Sequence, residues 1–259
     1  MMRFRFKCAG MVLTLLFTAA LHAQVQVVNS LITTLAGHGT GCAGQTDSLG
    51  DGCPAADSAL RNPAGVAVDT AGNLYIVDQN DEVVRKVNAA TGEITTVVGN
   101  GTGGYGGDNG PATSAELQGP NSVALDSTGN LYISDYINQR IRMVIAATGV
   151  ITTIAGNGTS GYTGDNNPAT SAELRNPSGI AVNPAGTVLY IGDSGNNVVR
   201  MVNLATGIIT TFAGNGFGSG TTGGGYTGDN GPATSAEMWS PSGVALDASG
   251  NLYIADTYN

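Results

Sequence analysis

The sequence predicts an all-β protein, a β-propeller of four-stranded antiparallel blades, on three observations. One unit recurs in tandem, each unit holds short runs rich in Val, Ile, Thr and Tyr, and tight-turn residues separate those runs. The run LYIVD (74–78) returns as LYISD (131–135), LYIGD (189–193) and LYIAD (252–256), and its terminal aspartates Asp78, Asp135, Asp193 and Asp256 are spaced by 57, 58 and 63 residues.

Within each unit the elements follow in order. A first strand is expected at GVAVD (65–69), SVALD (122–126), GIAVN (179–183) and GVALD (243–247), and the LYI run is the second. Runs such as Leu74 to Val77 are apolar on both faces, as in a sheet covered on both sides. DTAGN, DSTGN and DASGN lie between the first two strands, where Asp starts a turn and Gly takes the positive φ of a tight hairpin. Third strands follow at 83–87, 141–145 and 198–202 and fourth strands at 93–99, 150–156 and 208–214, with an orphan LITTLAG at 31–37. A linear β-solenoid would use shorter coils without tight hairpins.

Three units hold all four runs and the fourth stops at Asn259 after its second. An incomplete propeller is therefore expected, three full blades plus parts of another. Two open edges would remain, so residues 1–259 expressed alone are expected to aggregate or pair through them, with further blades supplied by a longer gene product. The orphan LITTLAG could instead pair with a terminal blade.

The opening 23 residues read as a signal peptide. Arg3, Arg5 and Lys7 precede an apolar run from Ala9 to Leu21, and Ala23 closes it before Gln24. That run is too short to span a bilayer comfortably, so no membrane anchor is expected after cleavage, and residues 24–259 form a propeller that is secreted, periplasmic or extracellular. From Gln24 onward 7 basic residues face 19 acidic ones, a surface that repels phosphates and argues against nucleic acid. Cys42 and Cys53 are an even pair in an exported chain and read as a disulfide, with two free thiols the alternative.

The repeats resemble the NHL-repeat family, whose blades carry an aspartate ending the second strand and a short Asn/His/Arg segment entering the third. DYINQRIRMV (135–144) carries the resemblance most fully, ahead of DSGNNVVRMV (193–202) and DQNDEVVRKV (78–87). The connectors GDNGPATSAEL (107–117), GDNNPATSAEL (164–174) and GDNGPATSAEM (228–238) are similar to long-repeat bacterial NHL propellers and to the teneurin NHL region. Where the family often has histidine, this chain has Glu82, Gln139 and Asn197.

Alternate connections of an antiparallel blade lie on alternate ends, so the second-to-third loops and the long connectors are expected on one face. Pro111, Pro168 and Pro232 should each start a short helix in the connector, with Asp108 or Asn109 near the first cap. Asp51, Asp108, Asp165 and Asp229 could offer oxygen to calcium, but one carboxylate per loop favours a capping or turn role. Asp78, Asp135, Asp193 and Asp256 are expected to accept hydrogen bonds within their blades rather than to form a ring of catalytic acids, with Arg85, Arg142 and Arg200 as candidate donors seven residues on.

Catalysis needs different groups converging in distinct roles, whereas these units repeat the same groups. The expected function is a secreted binding or scaffold module for a protein or glycan, without catalysis, cofactor or metal. Its candidate binding residues are Gln79, Asn80, Tyr136, Ile137, Ser194, Gly195, Thr257 and Tyr258 in the second-to-third loops. The alternative is a propeller hydrolase or lyase with a metal site in the central channel, which the resemblance to some propellers implies.

Overall fold

The computed structural model describes residues 33–37, 39–220 and 223–259, together with two strands near the N-terminus. Those two, β1 (Arg5–Cys8) and β2 (Met11–Thr14), pair antiparallel within a separate unit of residues 1–33. The cleavage expected after Ala23 lies outside the described residues.

Residues 34–259 form four successive antiparallel sheets. The first blade is β3 (Pro63–Val68), β4 (Leu74–Asp78), β5 (Val83–Val87) and β6 (Ile94–Val98). The second is β7 (Pro120–Leu125), β8 (Leu131–Asp135), β9 (Arg140–Ile145) and β10 (Val150–Ala155). The third adds a short edge strand, β11 (Asn167–Pro168), to β12 (Pro177–Val182), β13 (Val188–Asp193), β14 (Val198–Asn203) and β15 (Ile208–Ala213). The fourth contributes two strands, β16 (Pro241–Leu246) and β17 (Leu252–Asp256), and the sheets do not close into a ring among the described residues.

The first strand of every blade is innermost, since β3, β7, β12 and β16 pack successively against one another. Each starts two residues before the expected position, at a proline, and the register shifts just after it. Proline suits a strand's first residue because it has no N–H to donate. The inner strands approach so closely that a Cβ on Gly65 would lie 2.7 Å from the Cα of Ser122. Only glycine fits that contact.

Apolar layers fill the space between blades. Tyr75, Val77 and Val84 of the first blade pack with Val123, Ile133 and Ile151 of the second. Tyr132 and Ile141 of the second pack with Ile180, Ile191 and Ile209 of the third. On the two flanks apolar groups stay open: Val66 and Val68 on β3 and Tyr253 on β17 are mostly exposed.

The hairpins between first and second strands follow expectation. Gly72, Gly129 and Gly250 take φ near +85°. Asp69, Asp126 and Asp247 accept the backbone N–H groups of Asn73, Asn130 and Asn251.

The connectors carry the expected short helix begun by proline, but not the expected side-chain cap. Each PATS segment is a single turn of 3-10 helix, Ala112–Ser114, Ala169–Ser171 or Ala233–Ser235, begun by proline and without a side-chain cap. Asp108 and Asn109 do not cap it. The connector instead runs along the outer edge of the next blade, where Asn109 N–H donates to Ile151 and Ile151 N–H to Gly110. The same backbone pairing joins Asn166 to Ile209 and Cys53 to Ile94. An open fourth-strand edge is thereby covered, which removes a template for pairing with other chains.

The described part of the orphan LITTLAG, residues 33–37, is not a strand. Gly37 N–H donates to Ala55, the bond that Gly99 makes to Ala112 and Gly156 to Ala169 at the ends of complete fourth strands. It occupies the place of a fourth-strand end leading into the first connector.

Candidate ligand site at the axis end

The repeated charged residues are consumed in holding connectors to blades. Arg85, Arg142 and Arg200, on the third strands, have no solvent exposure. Each lies between two aspartates. Arg142 reaches Asp135 of its own blade at 3.2 Å and Asp108 of the connector at 2.7 Å, and it also donates to the carbonyls of Glu116 and Gly106. Arg200 holds Asp193 at 3.4 Å and Asp165 at 2.6 Å, and Arg85 holds Asp51 at 2.7 Å with Asp78 at 3.9 Å.

Thr96 and Thr211 donate to the connector carboxylates as well. Burial opposes ionisation of Asp108, yet bonds from Thr153 and the charge of Arg142 outweigh it and hold its pKa below the usual value. The oxygens considered for calcium are thus engaged by arginine in three connectors. Asp229, in the fourth, is exposed and accepts from Tyr226. Among the described residues no group of three or more His, Cys, Asp or Glu side chains could hold a metal ion.

The first blade breaks this pattern at one residue. Asn138 and Asn196 each donate to the second-strand aspartate and to a connector carbonyl, Gly104 and Gly161, and Asn259 does the same to Asp256 and Gly225. Asp81 occupies that position in the first blade and cannot donate when ionised. It pairs with Arg61 at 3.1 Å, and Asp78 Oδ2 is left buried without a hydrogen bond. Burial, with the charge of Asp81 added, raises the Asp78 pKa to about 6.

Glu82, Gln139 and Asn197 serve as latches between blades. They take left-handed φ of 58°, 55° and 57°, and their side chains accept the N–H groups of Gly119, Asn176 and Ser240 just before the next inner strand. The sequence marked these positions only as departures from histidine. Their shared acceptor chemistry was the available signal.

Cys42 and Cys53 are bonded, at 2.06 Å. The bridge anchors the first connector where Cys53 pairs with the edge of β6.

As expected, the second-to-third loops share an end with the connectors. Asn80, Ile137, Gly195 and Tyr258 donate their N–H groups to the connector carbonyls of Arg61, Gln118, Arg175 and Trp239. At the axis this end holds a depression of about 340 Å3, lined by Gln79, Asn121, Tyr136, Ser178, Ser194, Ser240 and Ser242. All four blades contribute.

Of the eight candidate residues, Gln79, Tyr136 and Ser194 line this depression. Thr257 borders it through a bond to Ser242. Ser194 departs from expectation in being buried, because its hydroxyl is turned inward to Ser178 and the carbonyl of Pro241. Gly195 lies against the Arg175 side chain, Ile137 stands exposed over Gly119, and Asn80 faces a separate depression with Arg61 and Asp81. Tyr258 is 64% exposed and packs against Trp239 with ring centroids 5.4 Å apart and ring planes inclined at 53°. Burial raises the Tyr136 pKa, and proximity to Tyr258 adds to the rise, so the phenol is a neutral donor at physiological pH. Asn121, Ser178, Ser240 and Ser242 were missed by sequence reasoning.

The architecture is that of a β-propeller whose blades are joined by long, docked connectors. Residues 16–105 match the teneurin NHL domain and residues 238–259 match the NHL repeat. The chain is 28% identical over 253 residues to human teneurin-4, across 87% of this chain and 9% of that protein. It is 28% identical over 167 residues to human NHL repeat-containing protein 2, across 59% of this chain and 22% of the relative. The chain therefore spans about a fifth or less of the length of these relatives.

Two solved structures share the fold at low identity. A protein from Bacteroides ovatus described as an auxiliary nutrient binding protein has a TM-score of 0.54 at 19% identity, covering 77% of this chain and 46% of the other. A nidogen/laminin complex has a TM-score of 0.51 at 18% identity, covering 77% and 59%.

Proposed function

We propose that this chain is a non-catalytic recognition module that works outside the cytosol and binds its ligand at the end carrying the second-to-third loops. The observation that supports this reading most is the division of labour among polar groups. Arg85, Arg142, Arg200 and their aspartates are committed to connector docking, in the same arrangement from blade to blade. Catalysis needs a base, an acid or a nucleophile free to act beside a partner in a different role. The groups with unspent hydrogen-bonding capacity at the axis end are neutral.

The disulfide supports an oxidising, extracytosolic setting. Exposed Ile137 and Tyr258 enlarge the face beyond the depression, as a macromolecular partner requires. The test is retention of extracellular proteins and glycans by the immobilised full chain, compared with Tyr136→Ala and Tyr258→Ala, alongside assays of lactone and ester hydrolysis. Retention lost in the variants without loss of folding is expected. Turnover abolished by changing one carboxylate in a folded variant would overturn the reading in favour of an enzyme.

A further inference from the structure

The four units are nearly superimposable in sequence, so positions at which they differ are informative. Each inner strand opens with a proline, Pro63, Pro120, Pro177 or Pro241, and each second strand ends with an aspartate. The residue after the proline is Ala64, Asn121, Ser178 or Ser242, and the residue after the aspartate is Gln79, Tyr136, Ser194 or Thr257. Most of these varied positions converge on the axis-end depression. These varied positions lie where four blades can touch one ligand.

Most amide side chains of this protein are engaged internally. Asn73, Asn130, Asn138 and Asn196 all donate to a nearby aspartate. Around the depression Ser178, Ser194 and Ser242 are bonded internally, and the remaining lining groups are less engaged. Asn121 and the hydroxyls of Tyr136 and Ser240 bond no protein group among the described residues, and Gln79 accepts from Asn62 while its Nε2 is unused.

We infer that this depression is a subsite for a neutral saccharide, an inference that rests on the recognition reading above. Amide and hydroxyl groups both donate and accept, as sugar hydroxyls do, so each can pair with a ligand whose every polar group has both capacities. No charged side chain lines the depression, so a phosphate, carboxylate or ammonium ligand would lose its hydration without gaining a counterion. Its volume suits one or two sugar rings. The Tyr136 ring supplies an apolar wall for the C–H face of a pyranose, with the Trp239–Tyr258 pair beside it for a second ring. An apolar peptide side chain would find little to pack on, since six of the seven lining residues are amides or aliphatic hydroxyls.

The experiment titrates the full chain with maltose, cellobiose and lactose, and with glucuronate and glucosamine as charged controls. Trp239 is the single tryptophan and directly precedes the lining residue Ser240, so its fluorescence serves as the reporter. Calorimetry supplies the affinity. A saturable response to at least one neutral sugar is expected, weakened about tenfold by Asn121→Ala and by Tyr136→Phe, each of which removes one hydrogen bond. Ser249→Ala, in the exposed first-to-second-strand hairpin at the other end of the fourth blade, should leave it unchanged.

Absence of saturation with all three neutral sugars, or binding indifferent to both substitutions, would overturn the saccharide inference. If macromolecular partners were still retained through Tyr136 and Tyr258, the recognition reading would stand without it. Preferential binding of glucuronate or glucosamine would likewise contradict it.

Discussion

Arg142 Nη1 and Asp135 Oδ2 stand 3.2 Å apart with both side chains inaccessible to solvent, while the other side of the same guanidinium holds Asp108 of the incoming connector. One cation thus joins strand, blade and connector. Buried pairs of this kind are costly to break, since removing one partner strands an uncompensated charge. Arg142→Ala should destabilise the protein by about 3 to 5 kcal/mol, measured by urea denaturation. A loss below about 1 kcal/mol would show that the site relaxes or admits water.

Asp81 supplies a test with the opposite sign. Asp81→Asn would give Asp78 Oδ2 the donor that Asp135 and Asp193 already have, and would remove a neighbouring charge. The Arg61 pair it sacrifices is mostly exposed on the arginine side and contributes little. A stabilisation of about 1 kcal/mol is expected in thermal or chemical melts.

The propeller fold and the strand order were legible because the four-run unit repeats and each run ends in turn residues. The Arg142–Asp135 pair followed from a fixed spacing of seven within one unit. Asp108 was not legible as its second partner, because that contact joins residues 34 apart in sequence through the docked connector. The binding residues were half legible. Tyr136 and Gln79 stand out as loop residues, whereas Asn121 and Ser242 lie at strand starts whose convergence on an axis only packing reveals.

The pH dependence of stability follows from opposed groups. Asp78 has its pKa raised from 3.8 to about 6, so the native state binds a proton that the unfolded state releases. That contribution is fully present below about 3.8 and lost as pH rises through about 6. Asp69, Asp108 and Asp126 are lowered, and their contributions are lost as pH falls below the ordinary carboxylate range. The melting temperature should therefore peak at mildly acidic pH, between these windows. Burial raises the Asp193 pKa to about 6 as well, so Asp78→Asn should lessen but not abolish the rise seen on going from pH about 7.5 to about 5.

Reduction of the Cys42–Cys53 bridge frees an 11-residue separation in the unfolded chain. The expected cost is about 2 to 3 kcal/mol. Proteolysis of the reduced protein should begin in the first connector, because Cys53 anchors it to the edge of β6. Unchanged stability after reduction would mean that Asp51, Arg85, Thr96 and the backbone pairing with Ile94 hold the connector without the bridge.

The latches should be separable from the binding residues. Gln139→Ala leaves the Asn176 N–H without its acceptor and should cost about 1 to 2 kcal/mol in denaturant melts. Ile133→Ala, at a fully buried position, should cost about 2 to 5 kcal/mol.

The decisive measurement compares melting temperature and ligand retention side by side in two sets of variants, Asp108→Asn with Arg142→Ala, and Asn121→Ala with Tyr136→Ala. The first set should lower the melting temperature while any fraction still folded retains ligand, and the second should lose ligand at an unchanged melting temperature. A folded Asp108→Asn protein that loses a hydrolytic activity present in the parent chain would contradict the assignment of charge to structure and recognition to the neutral axis end.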